Sequence, residues 1–220
     1  VLPTGIPLRQ FAAGDGPAFR RAHGIAESRP LALFVGRVAH EKNIGFLLEA
    51  LLQTRQLCPD VLLLIAGEGP AMADLKKRTA ELGLQQSVLF IGYLDRKQAL
   101  PDCYAAADVF VFASRTETQG LVLLEAMAAG LPVIALAEMG TIDILAPGRG
   151  AFCPPAEPKA FGEMLGHFLN HSDAWRHLAA EAPGYAAEWS DAAMAARLAT
   201  LHRQLAGLKI ASERPLTATA

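Results

Sequence analysis

Leu31-Ala32-Leu33-Phe34-Val35-Gly36 is a short apolar run closed by a glycine. A strand with no polar face must be covered on both sides, as in a parallel sheet with helices above and below it. The same design recurs at Val61 to Gly67 (VLLLIAG) and at Val88-Leu89-Phe90-Ile91-Gly92. Val109-Phe110-Val111-Phe112 and Pro132-Val133-Ile134-Ala135-Leu136 continue it. Between these runs the apolar positions move to helical spacing. Ile44, Leu47, Leu48, Leu51 and Leu52 mark one helix, and Met72, Leu75, Thr79 and Leu82 a second. Leu100, Tyr104 and Ala107 mark a third, and Val122 to Ala129 a fourth. Strand and helix in alternation predict an α/β fold, a doubly wound parallel sheet with right-handed crossovers. Ligands of such sheets bind beyond the carboxyl ends of the strands, at the switch point. The glycines that close the strands are therefore where chemistry is sought.

Outward from this alternation the character changes. Residues 157–206 read as almost wholly helical, with Pro183-Gly184 breaking one helix from the next. Residues 1–30, rich in Gly and Pro, read as an irregular lead-in to the domain spanning 31–206. Residues 207–220 read as a disordered tail, small and polar after Ala211 and interrupted by Pro215. The start, Val1-Leu2-Pro3-Thr4, has no Met and no leader pattern, and reads as a piece of a longer chain. No apolar run approaches the ~20 residues of a membrane-spanning helix.

Composition narrows the function classes. With 52% hydrophobic and 19% charged residues, the 220-residue chain can bury a sizeable core. A net charge of -2 without a basic stripe argues against a nucleic-acid partner. Cys58, Cys103 and Cys153 are odd in number and far apart, which disfavours a disulfide framework or a zinc site and fits a reducing cytoplasm. His23, His167, His171, His177 and His202 show no metal-ligand spacing and read as surface residues. No Asp-x-Asp pair, nucleophile elbow or P-loop occurs. No metal and no cofactor are expected.

Two constellations carry the chemistry. In Gly36-Arg37-Val38-Ala39-His40-Glu41-Lys42-Asn43, Gly36 allows a tight exit from the strand. Arg37 and Lys42 then stand at the top of the sheet beside a helix N-terminus, a site suited to a diphosphate. The residues read equally well as a surface Arg–Glu pair and a solvated lysine. His40 lies within the same loop. In Glu117-Thr118-Gln119-Gly120-Leu121-Val122-Leu123-Leu124-Glu125, Gly120 opens a helix and Glu125 falls more than a turn inside it. A carboxylate flanked by Leu123, Leu124, Ala126 and Met127 is poorly placed for water and needs donors, for which ribose hydroxyls are suitable. Glu117 can meet sugar hydroxyls, and backbone N–H groups from Gln119 to Val122 a phosphate. The alternative is an acid near the helix dipole and an ordinary exposed glutamate. Gly67-Glu68-Gly69-Pro70 looks superficially like a dinucleotide fingerprint, but Met72 replaces its third glycine, which disfavours hydride transfer. It reads as a nucleotide-facing turn or, as readily, a structural one. Gly92-Tyr93-Leu94 can border a base, although a lone tyrosine more often packs than stacks.

Taken together, these segments resemble the retaining, family 4 glycosyltransferases of the two-domain GT-B type. GRVAHEKN at 36–43 matches the G-R-x-x-x-E-K segment of that family, and ETQGLVLLE at 117–125 matches its E-x₇-E motif. AMAAGLPVIA at 126–135 continues the likeness, and VLPTGIPLRQF at 1–11 is similar to the opening of the family's C-terminal domain. The resemblance implies the Rossmann-like, donor-binding half of a GT-B enzyme, with the N-terminal acceptor domain absent from this chain and a partner to it. By matching position, Gly36, Arg37 and Lys42 would hold the diphosphate of a UDP- or GDP-linked sugar. Glu125 would bind ribose, Glu117 would orient the transferred sugar, and Gln119, Gly120, Leu121 and Val122 would offer backbone donors. Gly67, Gly92, Tyr93 and Leu94 would border the nucleotide. The helix from Asp191 to Leu205, after Trp189, would cross back to the N-terminal domain.

The implied reaction is metal-independent transfer with retention at the anomeric carbon, with Arg37, Lys42 and Glu117 as the catalytic set. The isolated chain is expected to be inactive, and the full-length enzyme to be cytoplasmic or peripheral at the inner face of the membrane. There are departures: Gln119 stands where the family often has Phe, a form seen in glycolipid-building members. Asp143 is the nearest match to an acidic residue after the fifth strand, and Thr4-Gly5-Ile6-Pro7 replaces an N-G-x-D stretch. The alternatives are a non-catalytic nucleotide-sugar-binding module and, less favoured, a GT-B sugar-nucleotide epimerase.

Overall fold

The computed structural model describes residues 3–212. Among the described residues, six strands form one sheet in the order β3-β2-β1-β4-β5-β6, every neighbouring pair parallel. They are β1 (Leu31–Val35), β2 (Leu62–Ala66), β3 (Val88–Gly92), β4 (Val109–Phe112), β5 (Val133–Ala135) and β6 (Ala151–Phe152). The helices are α1 (Gly16–Ala22), α2 (Ile44–Leu57), α3 (Met72–Glu81), α4 (Ala99–Ala106), α5 (Leu121–Ala128), α6 (Ile142–Leu145), α7 (Pro158–Asn170), α8 (Arg176–Ala187) and α9 (Asp191–Ser212). The five strands expected from the apolar runs are all present. The two-residue β6 is too short to leave a pattern of its own and exists by pairing Ala151 with Val133 and Phe152 with Ile134.

Burial follows from strand position. β2 is buried along its whole length, as are β4 and β5, whereas β3 at the sheet edge is half exposed. Strand order reverses between β1 and β4, which pair through Ala32–Val109 and Leu33–Phe110. A column of aromatic rings supports this seam: Phe34 on Phe112, Phe112 on Phe110, Phe110 on Tyr104 and Tyr104 on Phe11, with centroids 5.8–6.2 Å apart. On one side α2 packs against α3 and α7, where Gly162 lets the backbones meet; a Cβ there would lie 2.1 Å from the Ala50 carbonyl oxygen. Two further helix pairs pack together, α1 with α4 and α5 with α8.

Three expectations need correction. The lead-in is not irregular, because it contains α1, capped by the Asp15 carboxylate on the Ala18 N–H at 2.9 Å. Its anchor is Arg20, 7% exposed, whose Nε donates to the Ala106 carbonyl at 2.7 Å. The same guanidinium donates to the carbonyls of Ala26, Glu27 and Arg29 and pairs with Asp108 at 3.1 Å. Second, Pro183-Gly184 does not separate two helices; Pro183 lies inside α8. Arg149 bonds Glu181 on one side of the proline at 3.1 Å and Glu188 on the other at 2.6 Å, and lies over the Tyr185 ring. Tertiary contacts thus hold the helix through a residue that removes one of its own hydrogen bonds. Third, the expected tail from 207 is helical as far as Ser212, and residues 213–220 lie outside the described residues. Among the described residues, no helix is long and apolar enough to cross a membrane.

Candidate functional site

The loops that leave β1, β2 and β3 are stitched backbone to backbone. The Gly36 N–H donates to Ala66 at 3.0 Å, the Val38 N–H to Glu68 at 2.9 Å, and the Gly67 N–H to Gly92 at 2.7 Å. A side chain is excluded at Gly67, where a Cβ would fall 1.9 Å from the Gly36 carbonyl oxygen and φ is 141°. These exits enclose a cavity of about 310 Å³ lined by Gly36, Arg37, Gly67, Glu68, Tyr93, Leu94, Arg96 and Leu100, among others. Arg37 is exposed at its wall. The Tyr93 ring, 69% exposed, is not spent on packing. Gly92 does not line this cavity; it borders a neighbouring one of about 420 Å³ with Glu68, Gly69, Met72, Lys76 and Phe90.

Across the switch point, the loop after β1 is tied to the exit of β4. Asn43 adopts a left-handed conformation, φ 54°, at the start of α2, and its side chain donates to the Ala113 carbonyl at 3.1 Å. The Ser114 and Thr116 hydroxyls donate to the Glu41 carbonyl at 3.2 and 3.4 Å. These ties bring Lys42 Nζ to 2.6 Å from Glu117 Oε2, with both side chains 19% exposed. The two residues, 75 apart in sequence, form one partly desolvated pair. Beyond Glu117 the chain turns sharply at Gly120, φ 66°, into α5. The first N–H groups of α5 have no helical carbonyls to meet and face the same end of the sheet. Gln119 is exposed there, and Leu121 and Val122 are half-buried. The loop after β5 presses on this turn: a Cβ at Gly140 would lie 2.0 Å from the Thr118 carbonyl oxygen, and the Gly140 N–H donates to Glu117.

Glu125 is 4% exposed, as its apolar flanks imply. Its partners are protein groups that the sequence did not reveal. Arg96, in the loop after β3, bonds Oε1, and the Tyr104 hydroxyl donates to Oε2 at 3.0 Å. Burial first, and then the Glu125 charge, push the Tyr104 phenol well above its ordinary range. Burial opposes the Arg96 charge, but its bond to Glu125 outweighs that and holds the guanidinium above its usual value. Tyr104 carried one available signal: a buried phenol needs a hydrogen-bond partner, and a buried glutamate needs a donor. Arg96, a loop cation without a motif, carried none.

Other candidates fall elsewhere. His40 Nε2 lies 3.6 Å from Asp74 of α3, with both side chains well exposed. The half-buried Glu138, rather than Asp143, makes the ion pair of the loop after β5, with Arg115 at 3.3 Å. Ile6, in the opening stretch, pairs with the backbone of Trp189 and Asp191 at the junction of α8 and α9. A larger cavity, about 450 Å³, opens beside Pro30, Asp108 and Pro132 at the amino edge of the sheet, away from every glycine exit. Among the described residues, no group of three or more His, Cys, Asp or Glu side chains could hold a metal ion.

Comparison with known proteins bears on the family and the fold. Residues 15–184 match the family model described as glycosyl transferases group 1. The chain is 33% identical over 217 residues to the D-inositol 3-phosphate glycosyltransferase of Corynebacterium urealyticum, covering 93% of this chain and 51% of that protein. It is 37% identical over 143 residues to the alpha-monoglucosyldiacylglycerol synthase of Streptococcus pneumoniae, covering 61% of this chain and 32% of that protein. Sucrose-phosphate synthase from Thermosynechococcus elongatus superposes with a TM-score of 0.81 at 28% identity, over 94% of this chain and 52% of that one. The chain thus spans about half, or less, of the length of these proteins.

Proposed function

The chain belongs to the group 1 glycosyl transferases, and from that premise we propose that it is the donor-binding half of a retaining, metal-independent enzyme using a UDP- or GDP-linked sugar. The observation that carries the reading is the meeting, at one switch point, of the Arg37-to-Lys42 loop with the Glu117-to-Glu125 segment, sealed by the Lys42–Glu117 pair. Arg37 lines the cavity of about 310 Å³, and Tyr93 and Leu94 offer an exposed aromatic and an apolar edge for a base. In this reading Glu125 receives the ribose, and the first N–H groups of α5 receive a phosphate. Glu117, held by Lys42, accepts from hydroxyls of the transferred sugar.

The chemistry is electrostatic. As the bond from the anomeric carbon to the diphosphate breaks, negative charge grows on the leaving oxygen, and Arg37 and Lys42 stabilise it without reorganisation. The leaving phosphate takes the proton of the acceptor hydroxyl on the same face, which gives retention. The acceptor, a glycolipid or polysaccharide, is met by the N-terminal domain of the full-length protein, working in the cytoplasm at the membrane surface.

Calorimetric titration of this chain with UDP and GDP, beside Glu125→Ala and Arg37→Ala, tests the site. Binding of one nucleotide, weakened in both folded variants, is the expected result. A well-folded chain that binds neither, together with a full-length protein that transfers no sugar, would sink the proposal. NMR of the product of the full-length enzyme reads the anomeric configuration; inversion would refute the mechanism.

A further inference from the structure

The carboxylate assigned above to the ribose is already occupied. Both Glu125 oxygens have donors, and the Glu125 side chain is 6% exposed, against 55% for Arg96. Arg96 lines the 310 Å³ cavity with Arg37, Tyr93 and Leu94, whereas Glu125 does not. The guanidinium therefore stands between the cavity and the carboxylate. While the Arg96–Glu125 bond holds, Oε1 already has a partner.

We propose that Arg96 is a latch on the nucleotide site, which pairs with Glu125 and is displaced from it by the ribose hydroxyls. The inference rests on the reading of the cavity as a nucleotide site and adds a positioning residue to it. The local structure divides the labour suitably. The loop backbone is fixed: the Asp95 carboxylate accepts from the Lys97 N–H at 2.9 Å, and the Arg96 carbonyl accepts from Gln10. The side chain is the movable part, held by one ion pair and by the face of Phe11, 5.8 Å from its guanidinium carbon. Tyr104 does not need to move. Its buried hydroxyl keeps Oε2 oriented while Oε1 changes partner, so the carboxylate is never without a donor. A guanidinium that leaves a carboxylate needs another anion, and a nucleoside diphosphate brings one into the same cavity.

An exchange differs from a simple addition in what the ribose contributes. Each new bond to Glu125 is offset by the loss of the Arg96 pair, so the apparent gain from the ribose is reduced by the fraction of closed latch. The test is the ratio of dissociation constants for 2′-deoxy-UDP and UDP, and for 2′-deoxy-GDP and GDP, in the wild-type chain, Arg96→Ala and Arg96→Lys. The latch predicts that the ratio rises about threefold or more in Arg96→Ala, with Arg96→Lys in between. A purely structural arginine would weaken both ligands alike and leave the ratio unchanged, which would overturn the proposal. In the wild-type chain the Arg96 Nε–H resonance must move when UDP or GDP binds, and a resonance that stays in place overturns it even if Arg96→Ala fails to fold. A folded chain that binds no nucleotide removes the site itself, a different failure from nucleotide binding with an unchanged ratio.

Discussion

Arg20 and Arg37 sit at opposite edges of one sheet and show two ways to use a cation. At the amino edge, all three nitrogens of Arg20 donate, it is 7% exposed, and its partners are four carbonyls and Asp108. At the carboxyl edge Arg37 is exposed on a cavity wall, and its neighbour Lys42 makes a single short pair with Glu117. A buried cation must be satisfied within the protein. A cation meant for a ligand has to keep donors free for it. The two edges therefore predict opposite consequences when a charge is removed: loss of stability at one, loss of activity at the other.

The strongest way to break this contrast is Arg20→Ala. Asp108 keeps the Leu31 N–H at 2.7 Å, but leaving four carbonyls without the Arg20 donors should cost about 3 kcal/mol, read as a lower urea midpoint. A cost below that of Lys42→Ala would overturn the contrast. Lys42→Ala should instead lower sugar transfer by the full-length protein about 10²–10³-fold, with its unfolding midpoint moving less than that of Arg20→Ala. Tyr104→Phe sharpens the comparison from between the two edges. Loss of the hydrogen bond to charged Glu125 should cost about 1.5–3 kcal/mol near neutral pH. Because the Tyr104 pKa is raised in the folded chain, its contribution is complete below the ordinary tyrosine pKa and is lost as pH rises through the folded value. Urea titrations from pH 8 to 11 should therefore show a shallower alkaline decline in Tyr104→Phe. Tyr185, also shifted upward, leaves a residual slope. The smallest effect belongs to Met139, 60% exposed at φ 50°, a conformation costly for a residue with a Cβ. Met139→Gly should raise stability by at most about 1 kcal/mol, and a fall in the thermal midpoint would show that the side chain packs in a way its exposure hides.

Much of the fold could be read in the sequence because a buried parallel strand writes its burial into every residue. Leu62 to Ala66, apolar at every position and buried along its length, is the clearest case. Glu125 stood out because its apolar flanks leave a carboxylate poorly placed for water, whereas Lys42 read equally well as a solvated lysine and gained weight only with the two motifs taken together. What escaped depended on contacts distant in sequence. The 1–30 lead-in looked irregular because Gly14 and Gly16 read as breakers. In the fold they let the chain lie against α4, where a Cβ would fall 2.2 Å from the carbonyl oxygens of Pro101 and Ala105. Pro183 looked like a helix end because local propensity cannot register Arg149 holding both flanks of α8. Tyr104 read only as one mark of a helix; its ring packs on Phe11 while its hydroxyl bonds Glu125. Arg96 carried no local cue, since its meaning depends on a carboxylate 29 residues further along.

The stitching of β1 to β4 also has a consequence in time. Lys42 finds Glu117 only after the 75 positions separating them have formed β2, α3, β3 and α4 and brought the chain back beside β1. Contacts so remote in sequence form late, because the entropy of closing the loop is lost before the contact rewards it. On the ribosome the site cannot exist until Glu125 has emerged, long after the loop that carries Arg37 is free to misassociate. A nucleotide that binds the finished site then reports that the whole sheet has closed, which makes ligand-induced protection from proteolysis a measure of folding as much as of affinity.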